Sequence, residues 1–374
     1  MVDSTEGHIY PTFGLAHSLR NAGHSITYLS VPANERMIGR QGFEVSAILH
    51  DPMPPGIIQG GLDTFFDRSK PDLLVINIFL LAEALILHYR YKIWPVILTP
   101  YLPFPGSPMT HQCTGSIGEK KASEAVQIVE YLQSFGKRST DDILRPVSRF
   151  PELVLCPREL ETNPLPGKRN SYYIQPSIHS DLSSESELRS AGLPEHKKIL
   201  YASLGSNAGT YENKMRVRFY KTIINTIVKL EIPNIHLVMA VGRGFDTTIL
   251  GDLPGNVTVV DWAPQVAVLK TATLAIIHGG LGSIKECIYC GVPMIAIPMG
   301  YDQYQNGEMI RTLRLGITRR TEEITGEILL SDIRHILEDQ KIKENIGKMQ
   351  QLFTDIEASQ PGTRIIESLL KHPR

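Results

Sequence analysis

The amino-acid sequence predicts an α/β protein of two doubly wound, parallel-sheet domains facing each other across a cleft. Three observations carry this expectation. The C-terminal half alternates apolar runs with glycine-rich turns and helical stretches; those runs are apolar throughout; and the N-terminal half repeats the style less cleanly. Regular strand–helix alternation builds a parallel sheet, and strands covered on both faces lose the period-two pattern. A chain of 374 residues can hold two domains of ordinary size.

In chain order, "PTFGLAHSLRNAG" (11–23) reads as a helix with Pro11 in its first turn and Gly23 just past its end. Strands are expected at "SITYLSV", "FEVSAIL", "LLVIN" and "PVILTP". A helix opening at "GHIYP" calls for a buried strand ahead of it. "MVDSTEG" has little strand character beyond Val2, so that first strand is expected to be missing or shortened. The polar, turn-rich stretch 180–198 is the expected linker. It places the first domain at 1–182 and the second at 183–356, with a terminal helix at about 357–374 able to pack back on the first. The second domain offers "ILYASL" (199–204), an amphipathic stretch near 213–230, then "IHLVMAV" (235–241), "VTVV" (257–260), "LAII" (274–277) and "MIAI" (294–297).

Composition narrows the function. An apolar fraction of 42% and a charged fraction of 21% suit a soluble globular protein. A net charge of −1 supplies no general electrostatic grip on nucleic acid. Cys287 and Cys290 form one C-x-x-C without the second pair a structural zinc site needs, and read as inert thiols in a helix. Residues 73–87 form the longest apolar run, too short to span a bilayer and interrupted by Asn77 and Glu83. The start has neither the basic residues nor the apolar core of a secretory leader. A cytoplasmic protein is therefore expected, neither transmembrane nor nucleic-acid-binding, and compatible with peripheral membrane contact.

The chemistry concentrates in "HGGLGSIKE" (278–286), a glycine turn at the end of one buried strand and the start of a helix. Ligands of open α/β sheets lie outside the carboxyl ends of the strands. Glycines let the backbone approach closely, and first-turn N–H groups with the helix dipole favour an anion such as phosphate. His278 and Ser283 can add hydrogen bonds. Upstream, "DWAPQ" (261–265) presents Trp262 as a face for a base and Gln265 for polar edges. Downstream, "GVPMIAIPMGYDQYQN" (291–306) presents Asp302 and Gln303 to sugar hydroxyls. Base, phosphate and hydroxyl readers in that order fit a nucleotide sugar.

The run from Trp262 to Asn306 resembles the donor-binding signature of the family-1 glycosyltransferases, the UDP-glycosyltransferase superfamily of GT-B fold, and most resembles the bacterial branch that glycosylates macrolides and other natural products. The matching letters are W-x-P-Q, H-x-G-x-x-S-x-x-E, G-V-P and D-Q-x-x-N. Weaker echoes lie at "GHIYP", "PDLLVIN", "YASLGS" and "GTRIIESLL". The resemblance implies that Trp262 stacks on the donor base and that Glu286, with Gln265, holds the ribose. It implies that His278, Gly280 and Ser283 hold the diphosphate with Gly205 and Ser206, and that Asp302 and Gln303 bind the sugar. It also implies an inverting transfer of a hexose from a UDP or dTDP sugar to a hydroxyl of a small, apolar acceptor. No cofactor is expected beyond the nucleotide sugar as co-substrate. No D-x-D motif occurs, which fits a metal-independent transferase.

His8 matches the family's general base, and an imidazole suits proton abstraction near neutral pH. The family orients that histidine with an aspartate closing the strand P-D-x-x-x-x-D; here Asn77 stands in its place. An amide can orient the ring but cannot offset its charge. The comparable exchange in a serine-protease triad costs about 10⁴-fold. Asp72, expected to cap the strand start, and Glu83, expected to face solvent, are the alternative carboxylates weighed. The departure, with the short start, raises the alternative of a catalytically impaired or auxiliary nucleotide-sugar-binding relative. A nucleotide-sugar epimerase or cell-wall transferase on the same fold is a further reading, against which the complete W-x-P-Q to D-Q signature speaks. Acceptor contacts are sought in "YLPFPGSP" (101–108) and around 53–66, where ordinary packing is an equal expectation.

Overall fold

The computed structural model describes residues 1–3, 5–48, 53–102, 122–164, 170–178 and 198–371. The expected linker at 180–198 and most of "YLPFPGSP" lie outside the described residues. The chain divides into two compact units. Unit 1 comprises Met1–Ser177 with Ser359–Arg374, and unit 2 comprises Ile178–Ala358.

Unit 2 is organised around a six-stranded sheet. Its strands are β7 (Lys198–Ser203), β8 (Ile235–Ala240), β9 (Val257–Val260), β10 (Ala272–Ile277), β11 (Met294–Ala296) and β12 (Gly316–Thr318). Their spatial order is β12-β11-β10-β7-β8-β9, and every pairing is parallel. Counted from its own first strand, that is the doubly wound dinucleotide-binding order, with its reversal point between β7 and β10. All six residues of β8 are buried, as are five of six in β7, because helices cover both faces. The helix Asn213–Lys229 buries Phe219, Tyr220, Ile223, Ile224 and Ile227 on one face. They join Leu329, Ile333 and Ile336 of the helix Gly326–Glu338 in the same core.

Unit 1 carries a four-stranded parallel sheet, β3 (Val75–Asn77), β4 (Val96–Thr99), β5 (Glu152–Val154) and β6 (Ser171–Tyr173), and a separate parallel pair, β1 (Thr27–Ser30) and β2 (Glu44–Ile48). Met1 and Val2 bridge the two. The Val2 N–H donates to Leu29 O at 3.2 Å, and the Asn77 N–H donates to Met1 O at 3.1 Å. The Met1 amine donates to Val75 O at 2.6 Å. Two residues thus occupy a central position of the sheet. Beside them lies a cavity of about 570 Å³ whose lining includes Leu15, Leu19, Tyr28, Leu73, Val75 and Ile366.

Two expectations need correction here. The first helix runs Glu6–Asn21, not from Pro11, because the His8 and Ile9 N–H groups already bond to Thr5 O. Pro11 lies inside it, lacking only the N–H that would have reached Gly7 O. Glu83 does not face solvent. The helix Leu81–Tyr91 is sheathed by the core and buries Glu83 with Leu81, Leu85, Ile86 and Leu87. Around 53–66, Ile57, Leu62 and Phe66 belong to that core too, so ordinary packing accounts for them. The last helix, Pro361–Lys371, lies on unit 1. Ile366 packs with Leu15 and Leu19, and the Gly362 N–H donates to Gln175 Oε1 at 2.8 Å.

Candidate functional site

The reversal point of the unit 2 sheet gathers most of the residues singled out from the sequence. β7 and β10 are neighbours, with Ile277 registered on Ser203, so the turns that leave both strands emerge side by side. From β10 the chain enters His278, Gly279 and Gly280. From β7 it enters Leu204, Gly205 and Ser206. The His278 ring lies between the two turns. A Cβ on Gly205 would come within 2.8 Å of His278 Nε2, and one on Gly280 within 2.9 Å of Cε1. Both positions therefore need glycine for the ring to fit. Gly205 needs it twice over, at φ +78°.

His278 is buried, and burial lowers its pKa to about 4, so the ring is neutral at physiological pH. Its buried Nδ1 has no hydrogen-bond partner. Gly280 caps the helix Leu281–Tyr289 without a side chain to occupy the first-turn N–H groups. A neutral imidazole, an uncapped helix start and two glycine turns form a cradle suited to an anion.

Next to it a hydrogen-bonded cluster is centred on Gln265, the first residue of the helix Gln265–Leu269. Its Oε1 accepts from the Tyr201 hydroxyl at 2.9 Å. Its Nε2 donates to Ser283 Oγ at 3.1 Å and to Glu286 Oε2. Serving as acceptor there, Ser283 keeps its own hydroxyl proton for a ligand. Desolvation raises the Glu286 carboxyl to a pKa of about 7, against the Gln265 hydrogen bond and the Lys285 charge, which lower it. Trp262, just past β9 and three residues ahead of Gln265, is 45% exposed, an open face for stacking. Ser206 is exposed beside Gly205.

The segment after β11 is tied to the same turn. Asn306 Nδ2 donates to Gly279 O and to Asp302 Oδ2, each at 3.0 Å. Gln303 is only 4% exposed. Its Oε1 accepts from Met299 N at 2.8 Å and Gly300 N at 3.2 Å, and its Nε2 donates to the Tyr211 hydroxyl at 2.7 Å. Gln303 thus braces the loop that presents Asp302, with one N–H left for a ligand. Tyr201, Tyr211 and Asn306 were not assigned roles from sequence. Asn306 was visible as the last letter of the D-Q-x-x-N match; the tyrosines gave no signal.

In unit 1, His8 lies in the first turn of the helix Glu6–Asn21, its ring stacked on Phe79 at 3.9 Å between centroids. Asn77 does not reach that ring. Its Nδ2 donates to the His8 backbone carbonyl at 3.3 Å, and its Oδ1 accepts from Phe79 N at 3.1 Å, capping the turn after β3. Its expected ring-orienting role is corrected accordingly: β3 ends too close to the His8 backbone for the amide to serve both. The atom on the imidazole is a carboxylate oxygen of Asp3, 2.7 Å from Nδ1. Asp72 is exposed.

A doubly wound sheet with a cradle suited to an anion at its reversal point, and a histidine held against a carboxylate in a second parallel-sheet unit, define an α/β protein of two such units. The comparisons with known proteins narrow this. Residues 234–370 match the family described as Erythromycin biosynthesis protein CIII-like, C-terminal domain. The oleandomycin glycosyltransferase of Streptomyces antibioticus is 31% identical over 220 residues, 59% of this chain and 48% of that protein. The NDP-glycosyltransferase YjiC of Bacillus subtilis is 23% identical over 386 residues, 98% of this chain and 95% of that one. Among solved structures, the glycotransferase of kitacinnamycin superposes with a TM-score of 0.77 at 23% identity, covering 98% of this chain and 97% of that one. The glycosyltransferase VinC, solved in complex with dTDP, gives 0.71 at 16%, covering 99% and 97%. The chain is thus similar to glycosyltransferases in sequence, most clearly over residues 234–370, and has the GT-B fold of the solved ones. The first of these relatives is matched over about half its own length. Among the described residues no helix is long and apolar enough to cross a membrane.

Proposed function

We propose that the protein is an inverting, metal-independent glycosyltransferase that moves a hexose from a UDP or dTDP sugar to a hydroxyl of a small, apolar acceptor such as a natural product. The observation that carries this is the His278 ring set between Gly205 and Gly280 at an uncapped helix start, with the Gln265–Ser283–Glu286 cluster beside it. In this reading Trp262 stacks on the base, and Glu286 accepts from the ribose hydroxyls. His278, Ser283 and the first-turn N–H groups hold the diphosphate; Asp302, braced by Asn306 and Gln303, meets the sugar. As the anomeric C–O bond breaks, negative charge grows on the departing diphosphate, and fixed donors at a helix start stabilise it. His8 takes the acceptor's proton as its oxygen attacks the opposite face of the sugar.

Calorimetric titration with UDP, dTDP and GDP, beside His278→Ala, tests it. One nucleotide should bind at micromolar level or better and weaken more than tenfold in the variant; binding of none overturns the proposal. A second reading, an auxiliary relative that binds nucleotide without transfer, is favoured by Asn77, which bonds the His8 backbone and not its ring. It predicts the same titration but no product with any acceptor.

A further inference from the structure

We infer that Asp3 is the positioning residue of the base, standing where neither the sequence pattern nor Asn77 supplies one. The inference rests on the reading of His8 as the base. Asp3 follows the two residues that enter the unit 1 sheet, so its backbone is fixed by the ladder itself. Val2 is bonded to Leu29, and Asp3 O accepts from Asn34 Nδ2 at 2.7 Å. Asn34 is buried and held in turn on Ser30 Oγ. Both carboxylate oxygens are engaged: Oδ1 accepts from Thr5 N at 2.9 Å, and Oδ2 meets His8 Nδ1 at 2.7 Å. The side chains are 16% and 24% exposed, enough cover to strengthen the pair and enough opening for a substrate to reach the ring.

The chemistry follows from which nitrogen is occupied. A carboxylate has only acceptor capacity, so the nitrogen facing it carries the proton. His8 is thereby held in the Nδ1–H tautomer, with the Nε2 lone pair directed to the acceptor hydroxyl. When Nε2 takes that proton, Asp3 stabilises the imidazolium without being protonated, the part a buried aspartate plays in a catalytic triad. Phe79 limits rotation of the ring by stacking, and Asn77 fixes the His8 backbone.

Two measurements test this. The first needs no acceptor: ¹⁵N shifts of the His8 imidazole, assigned with His8→Gln. Wild type should show Nδ1 protonated and Nε2 free, and Asp3→Asn should shift the ring toward the other tautomer. An Nε2–H ring in wild type, or no change in Asp3→Asn, overturns the inference. The second compares transfer to an aliphatic alcohol and to a phenol already ionised at the assay pH. Asp3→Asn should lower kcat with the alcohol by about 10²–10⁴-fold and with the phenol by less than tenfold. Donor KM and thermal midpoint should stay near wild type. Equal losses with both acceptors would assign Asp3 a merely structural role. Asp3→Glu should recover part of the rate, whereas a tenfold gain from Asn77→Asp in the wild-type background would return the role to position 77. Should wild type bind nucleotide but transfer to neither acceptor, the transferase reading fails, while the tautomer measurement still decides the role of Asp3.

Discussion

Glu286→Gln should make the protein more stable at pH 8 while depriving it of nucleotide. Burial raises this carboxyl from its ordinary 4.5 to about 7. The folded state therefore binds the proton more tightly than the unfolded chain does. The sign follows: stability is greatest at low pH, declines as pH rises from 4.5 through 7, and levels off above. At about 1.4 kcal/mol per pH unit, ionised Glu286 costs up to about 3 kcal/mol at pH 8. Partial solvent access screens this to about 1–2 kcal/mol. For a domain of this size that corresponds to about 3–6 °C in Tm. The assay is a set of thermal melts of wild type and Glu286→Gln at pH 5 and pH 8. The variant should gain at pH 8 and little at pH 5. His278, with its pKa lowered from 6.5 to about 4, adds stability that rises with pH between those values, but both proteins carry it, so it cancels in the difference between them. A Tm difference that is the same at both pH values would refute the reasoning. In parallel, wild-type nucleotide affinity should rise through pH 7 as the carboxylate forms and level off about one pH unit above it, and Glu286→Gln should bind at least tenfold more weakly at pH 8.

Gly280→Ala introduces a Cβ at an ordinary backbone conformation, so its only offence is to the His278 ring; nucleotide affinity should fall more than tenfold by calorimetry with a modest loss of Tm. Gly205→Ala adds backbone strain at φ +78° and should lower Tm further. Trp262→Ala removes an exposed ring. It should leave Tm within about 1 °C of wild type and weaken nucleotide binding by roughly ten- to a hundredfold, the usual worth of base–aromatic stacking. Gln303→Ala releases the Met299–Gly300 loop; sugar-donor KM should rise about tenfold while free nucleotide still binds, a contrast that steady-state kinetics beside titration will read.

Unit 2 was legible because most of its strands are apolar throughout and separated by glycine turns; 257–260 was placed to the residue, while the three-residue, half-buried β12 was not read. Unit 1 was harder. β3 was read within "LLVIN", but β5 and β6 span three residues each, too few to show a period, and were not read. Glu83 was misplaced because the helix around it is apolar on every side, so no face could be distinguished for it. The donor-site letters could be read because their spacing is local to two strand–turn–helix units. Why the glycines are glycines could not, since the ring that excludes a Cβ at position 205 comes from position 278. Asp3 escaped notice for a related reason. A carboxylate five residues ahead of a histidine has no regular geometry to it until the sheet fixes where the chain starts its turn.

The Met1 nitrogen, lodged against Val75 inside unit 1, has a practical corollary for anyone handling the polypeptide. An affinity tag, fluorophore or surface linker joined there would not trail into solvent. Its first atoms would be threaded into the sheet two residues from Asp3. Where the molecule is labelled thus becomes a variable of the enzymology, and rates taken from N-terminally and internally labelled preparations should be compared before either is called wild type.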